Sequence, residues 1–368
     1  MTRDRIGLRA LNRATLQRQM LLARCTRTPA QAIERLVGLQ AQAPNPPYVG
    51  LWSRLENFRI EQLSALMRQR RVVRMALMRS TLHLVTARDC LALRPLLQPM
   101  LWRSVNGAYR RAIEGLDAAA LVAAGRALLA EQPHDNAELG RALAARWPGR
   151  DGAALAAALR NLAPLVHLPP AGTWNSHASA KLAPADVWLA APPAGPLTQD
   201  DLLLRYLGAF GPATLADAAA WSGLGGWKAV AERLRPKLRV FVGDEGQELF
   251  DLPRAPRPHP DTPAPPRLVA EWDNLLLSHA ERSRVLSEAH RPRVFTVNGI
   301  VRGTALVDGF VAGTWKIHRR PGHATLAVER FGRWSAAGRQ GIEAEGLNLL
   351  AFAAPGDAAD VRIAEAAA

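Results

Sequence analysis

Two glutamines, Gln40 and Gln42, stand either side of Ala41 just ahead of a turn rich in proline (Pro44, Pro46 and Pro47). A carboxamide oxygen is a neutral acceptor. It can hold a water molecule and face a developing positive charge without itself ionising. In an extended segment, residues two apart point the same way, which would turn Ala41 into the protein and present both amides together. By spacing alone the pair reads first as hydrogen-bonding residues of a loop or helix end, with catalysis as the other reading. More familiar chemistries are missing from the chain. Gly223–Lys228 is followed by Ala229 and lacks the Gly-x4-Gly-Lys-Ser/Thr phosphate loop. No His-Glu-x-x-His occurs among the nine histidines, and no Gly-x-Ser-x-Gly elbow is present. Two cysteines, Cys25 and Cys90, exclude a disulfide framework and a four-cysteine metal site. No metal or organic cofactor is expected.

The charge points to a partner. Over 368 residues, 47 Lys+Arg against 32 Asp+Glu leave a net charge of +15, which makes a polyanion the first partner to test. Only Lys181, Lys228, Lys237 and Lys316 are lysines; the other basic residues are arginines, the better bidentate phosphate ligand. GC-rich coding gives the same bias. No run of about 18 apolar residues suggests a membrane helix, and the charged start at Met1-Thr2-Arg3-Asp4-Arg5 is unlike a secretory core. A soluble cytoplasmic protein of two or three domains is expected.

The elements that must position these residues repeat one plan. Apolar spacing predicts a helix over 8–24, then one over 30–37 with Thr28 as N-cap and Pro29 at its first position. Helices over 48–55 and 60–70 follow, then paired strands over 72–78 and 81–85 broken by Arg79-Ser80. Helices followed by a strand hairpin are the winged-helix plan. It recurs with helices over 116–131, 136–147 and 152–162 and a hairpin of 165–168 with 173–174. It recurs again with helices over 198–210, 215–222 and 227–234 and a hairpin of 238–242 with 247–252. Seven prolines between Pro253 and Pro266 make a stiff connection. Strand candidates over 293–297, 300–307, 310–317 and 324–329, with turns at Asn298-Gly299 and Asp308-Gly309, then indicate a β module that ends in a helix over 343–352.

Several stretches carry a family likeness in order from about residue 8 to 350. They are Gly38-Leu-Gln-Ala-Gln-x-Pro, Arg79-Ser80-Thr81-Leu82-His83-Leu84-Val85, Gly208–Asp217, Trp272-Asp273-Asn274-Leu-Leu-Leu-Ser-His279, Val307-Asp308-Gly309 and Ala312-Gly-Thr-Trp315. Together they resemble the AlkZ/YcaQ-like winged-helix DNA glycosylases, on the Gln-x-Gln branch typified by azinomycin resistance rather than the Gln-x-Asp branch. The resemblance implies an α+β fold of tandem winged helices forming a C-shaped cradle with a small C-terminal β-barrel. The corresponding division is 1–115 with the Gln-x-Gln loop, 116–195, 196–255, and 267–368 for the β-rich module.

The resemblance also implies a reaction. A guanine alkylated at N7 is cationic and leaves as a neutral base, so little acid help is needed. Gln40 and Gln42 would hold the attacking water and stabilise the sugar cation as catalytic residues. The expected partner is double-stranded DNA with alkylated purines, bulky natural-product adducts and interstrand crosslinks included, bound by a monomer. Candidate DNA or substrate contacts are Arg79, Thr81, His83, Asp273, Asn274, His279, Arg282 and Trp315. On the residues alone, His83 is also readable as a buried core histidine, Asp273 and Asn274 as helix caps, and Trp315 as packing in the β module. Asp217 reads as structural. The competing function is a winged-helix transcription regulator or non-catalytic DNA-binding protein. Against a regulator, the helix over 152–162 carries only Arg160 as a charge and has little with which to read base edges.

Overall fold

The computed structural model describes residues 4–190, 195 and 197–366; the first three residues of the charged start and the expected boundary at 195/196 touch positions outside that set. Helix α1 (Leu8–Arg18) is followed by α2 (Pro29–Arg35), where Thr28 and Gln31 form a capping box and Pro29 opens the helix. Strand β1 (Leu39–Gln40), α3 (Pro46–Trp52) and α4 (Ile60–Arg68) lead to β2 (Val72–Ala76) and β3 (Leu82–Thr86), joined by a 3-10 turn at Met78–Ser80. The 22-residue helix α5 (Ala87–Ala108) was not anticipated. Pro95 and Pro99 lie inside it, where each removes a backbone donor and reads as a breaker. Its buried face (Leu93, Leu97, Met100 and Leu101) packs in one core with Met75, Leu77 and Val85, and that burial outweighs the lost bonds.

Next come α6 (Arg110–Ile113), α7 (Ala118–Glu131), α8 (Asn136–Arg146), α9 (Gly152–Leu162), β4 (Leu165–His167), β5 (Leu182–Pro184) and α10 (Ala185–Leu189). The expected partner of 165–168 is not 173–174. Strand β4 instead pairs with both β2 and β5, so a single sheet of order β1-β3-β2-β4-β5 joins the first two groups of helices. Trp174 is drawn away from any strand by packing edge-on against Tyr48 and Phe352, at 5.4 and 5.6 Å between ring centres. Helices α11 (Gln199–Phe210), α12 (Leu215–Ser222) and α13 (Trp227–Leu234) then precede the hairpin β6 (Arg239–Val242) and β7 (Glu248–Asp251).

After the proline-rich connection come β8 (Arg267–Val269), α14 (Asn274–Leu277), α15 (Arg291–Val294), β9 (Gly303–Val307), β10 (Phe310–Arg320), β11 (His323–Arg330), α16 (Ala336–Ala353) and β12 (Ala358–Glu365). The strand expected over 293–297 is replaced by α15, which Pro292 starts in its first turn; only the single bridge Phe295–Val301 flanks Asn298-Gly299. The expected small barrel is corrected to an open sheet of order β12-β11-β10-β9-β8, with β12 parallel to β11 and no pairing of β12 with β8 among the described residues. Helix α16 takes the place of closure. Its Ile342, Leu349 and Leu350 bury against Leu268, Ala305, Leu326 and Val328 of the strands.

Candidate active site

The Gln40–Gln42 segment is built by the turn that ends α2. Val37 and Gly38 take positive φ angles of 55° and 96°. At Gly38 a side chain would also meet Val85 Cγ1 at 2.7 Å, so only glycine lets the turn lie this close to β3. Leu39 then faces Leu84 and Gln40 faces His83, and the Ala41 N–H donates to the Leu82 carbonyl at 2.7 Å. Ala41 is buried at 1% exposure, Gln40 is nearly buried at 7%, and Gln42 is exposed.

Each glutamine oxygen is held by a group that can only donate. Gln40 Oε1 accepts from Arg79 Nη2 at 2.6 Å, and Gln42 Oε1 accepts from the Leu82 N–H at 3.0 Å. These bonds fix which end of each amide is oxygen, and a second lone pair on each oxygen remains as acceptor capacity. Arg79 donates its other nitrogen to the Trp221 carbonyl of α12. It does so from a left-handed backbone, φ 55°, followed by Ser80 at φ 60°. Two consecutive non-glycine residues there are strained, and surrounding contacts must hold them.

Positive charge gathers around this segment. Arg74 on β2 donates to the Ala41 carbonyl at 2.7 Å and the Gln42 carbonyl at 3.1 Å. Burial pushes Arg74 down to about 10, with Arg160 adding to the effect. Arg79 is likewise pushed down to about 10 by burial and then by Arg282. No described carboxylate pairs with Arg74, Arg79 or Arg160. His83 is 1% exposed; burial, then the Arg79 charge, lowers its pKa to about 3. Its Nδ1–H donates to the Thr81 carbonyl at 3.0 Å, and its buried Nε2 has no partner. His83 is therefore a neutral, buried residue behind Gln40.

The remaining sequence candidates divide. Thr81 is half-buried and bonds the Met78 carbonyl at 3.0 Å, closing the Arg79 turn. Asp273 is buried, caps α14 through the Leu275 N–H and pairs both oxygens with Arg54 at 2.7 and 2.8 Å, apart from the glutamines. Asn274, 3% exposed, donates to the Gly38 carbonyl at 2.7 Å and so ties the C-terminal module to the turn that carries Gln40. His279 is buried, bonds the Phe210 carbonyl at 3.0 Å and is lowered to about 3 by burial, then by Arg284. Arg282 bonds the Leu276 carbonyl at 2.8 Å, lies over the Phe295 ring and is close enough to Arg79 to lower it. Trp315 is fixed by its indole N–H to the Val269 carbonyl at 3.0 Å, on a different sheet from the glutamines. Asp217 caps α12 and accepts from the Ala280 N–H at 2.9 Å, a structural role.

Gln40, Gln42, Arg79, Thr81 and His83 thus meet at one place, with Asn274 and Arg282 beside it; Asp273, His279 and Trp315 do not join them. Sequence reasoning missed Arg74, a charge inside the apolar strand Val72–Ala76, and that interruption was the available signal. Among the described residues no group of three or more His, Cys, Asp or Glu could hold a metal ion, and no helix is long and apolar enough to cross a membrane.

Comparison with known proteins identifies the family and the fold. Residues 33–352 match the family model of AlkZ-like DNA glycosylases. A curated relative from Streptomyces sahachiroi, an interstrand DNA cross-link repair glycosylase, is 30% identical over 129 residues; the match covers 32% of this chain and 33% of that protein. The chain thus matches about a third of that relative's length. The solved structure of the DNA glycosylase AlkZ from Streptomyces sahachiroi has the same mixed α+β fold, with a TM-score of 0.79, 21% identity, and coverage of 98% of this chain and 100% of that one. With most of its length matched by the family model, the chain belongs to the AlkZ-like DNA glycosylase family.

Proposed function

We propose that the protein is a monofunctional DNA glycosylase that hydrolyses the N-glycosidic bond of cationic N7-alkylguanine and related alkylpurines in duplex DNA. Its substrates include bulky natural-product adducts and interstrand crosslinks, and its role is self-resistance and repair in the cytoplasm of a producer, as a monomer. The observation that carries this reading is the pair of glutamine oxygens, each aimed by a donor-only partner and each left with acceptor capacity. The carbon–nitrogen bond from C1′ to the base breaks, and its electron pair neutralises the cationic purine, so no acid is required. Water forms the new C1′–O bond while its hydrogens point at Gln40 and Gln42, and the proton it loses passes to solvent because an amide takes none. The helix groups with their strands, in the divisions 1–115, 116–195, 196–255 and 267–368, act as winged helices of a C-shaped cradle around the duplex. Arg79 aims Gln40, His83 and Thr81 support the turn, Asn274 anchors it, and Arg282 meets the backbone. Trp315, Asp273 and His279 serve mainly the scaffold. An excision assay on otherwise identical duplexes carrying 7-methylguanine, a bulky intercalated N7 adduct or an N7 crosslink tests this. Release of the free base without strand cleavage, and an alkali-labile site left behind, is expected. Tight duplex binding with no release from any of the three would refute it.

A further inference from the structure

Beside Gln42 opens a recess of about 180 Å3, roughly the liquid volume of six waters. Gln42, Ser80, Tyr109, Arg160, Asn161 and His167 supply its polar lining, and no carboxylate lines it. Arg160 is the single charge on α9, which buries Leu155, Ala156, Ala158, Leu159 and Leu162 in a helical core. Its guanidinium makes no hydrogen bond or ion pair among the described residues, and its Nε is buried without a partner. His167 on β4 lies across from Arg74 in the sheet, and its Nδ1 is also buried and unpartnered. Ser80 donates to Asn161 at 2.6 Å, which closes one wall. Burial and the charges of Arg74 and Arg160 lower His167 to about 3, so it stands neutral with one N–H to give.

Arg160 is half-buried with its Nε sealed from solvent, and a partly desolvated cation without a counter-ion gains when an anion arrives to meet it. Arg160 in the lining, the charge of Arg74 across the sheet behind His167, the unpartnered imidazole nitrogen and a lining without acid suit an oxyanion with several acceptor oxygens. We infer that this recess is a subsite for one phosphodiester adjoining the lesion nucleotide, with Arg160 as its principal ligand, His167 as a neutral donor and Arg74 as the supporting charge. The subsite rests on the glycosylase reading and adds to it. Seating that phosphate beside Gln42 sets C1′ of the neighbouring sugar against the water, so that Arg160 places the substrate where the glutamines act. It also gives a role to an otherwise base-blind helix.

The test separates the subsite from the chemistry. Binding is measured by fluorescence anisotropy on duplexes with one tetrahydrofuran abasic analogue. These carry either all natural phosphates or a single neutral methylphosphonate immediately 5′ of it, immediately 3′ of it, across from it on the opposite strand, or several nucleotides away. Wild type is expected to lose about 10-fold to 100-fold in affinity at one adjoining position only, as for one charge-assisted contact. R160M is expected to lose a similar factor on the natural duplex and nothing further at that position, with the salt slope reduced by about one. R160K, which keeps the charge, is expected to recover part of the loss. Equal binding by R160M and wild type, or an R160M loss that adds in full to every methylphosphonate, would overturn the subsite. If R160M does not fold, R160K decides: undiminished affinity together with undiminished sensitivity to every methylphosphonate would overturn it, whereas a loss confined to that position supports it. No base is released in this assay. A chain that shows the coupling yet excises nothing keeps the subsite and fails as a glycosylase.

Discussion

Replacing Arg79 with Met removes the donor that aims Gln40 while keeping a long, buried side chain. The bond from Nη2 to Gln40 Oε1 is 2.6 Å long and charge-assisted, and such bonds contribute about 1.5–3 kcal/mol. If the oxygen's orientation matters only when the sugar cation forms, that range appears wholly in the chemical step, as a drop in kcat of about 10-fold to 150-fold. Stability should change little. The variant loses the bond to the Trp221 carbonyl, but it also removes a buried guanidinium that no described carboxylate compensates, and these effects offset to within about 2 kcal/mol. Both residue types suffer alike in the left-handed backbone at φ 55°. Single-turnover release of 7-methylguanine gives the rate, anisotropy gives duplex affinity, and urea unfolding gives stability. R79K keeps a charge but cannot bridge Gln40 and Trp221 with a planar fork, so it should fall between the two. Wild-type rates in R79M, with Gln40 unsupported, would refute the aiming role.

Other consequences can be measured separately. N274A leaves the Gly38 carbonyl unmet in a buried place and should destabilise the fold by about 1–3 kcal/mol in urea unfolding, with excision lost in proportion as the Gln40 turn loosens; unaltered stability would break the proposed link. The excision rate should be flat from about pH 5.5 to 8, because His83 and His167 stay neutral down to about 3 and Arg74 and Arg79 stay charged up to about 10; a bell-shaped profile in that window would point to a titrating catalyst. Stability should behave differently. The folded values of His83 and His167 lie below their unfolded value of about 6.5, so their contribution is complete above that pH and is lost as pH falls from about 6.5 towards 3, by up to about 1.4 kcal/mol per pH unit for each. Replacing either with an uncharged residue should flatten that slope.

Local signals in the sequence translated well into local structure. Thr28 caps α2, Gly152–Leu162 is a helix, and Asp308-Gly309 turns β9 into β10, because each depends on neighbours within a few positions. The same logic misplaced elements that distant partners decide. Residues 165–168 pair with β2 some ninety positions earlier rather than with 173–174, and α16 lies over the last sheet where a barrel would have closed. The candidate site shows the same division. The spacing of Gln40, Ala41 and Gln42 and the strand position of His83 were readable, and family likeness singled out Arg79. Which groups hold them was not, since the Asn274 bond to Gly38 joins residues 236 apart and the Arg79 bond to Gln40 depends on a strained turn that no propensity announces. Arg160 was visible as the one charge on a helix with little to read base edges; its lack of a partner among the described residues appears only in three dimensions.

The account turns on two neutral amides carrying out hydrolysis, and excision by Q40A and Q42A tests that most directly. On a duplex with a single 7-methylguanine, each substitution should lower single-turnover release by at least about 100-fold, a range found for one transition-state-stabilising group, while duplex affinity stays within about twofold of wild type. Release at the wild-type rate in both variants, with binding intact, would contradict it.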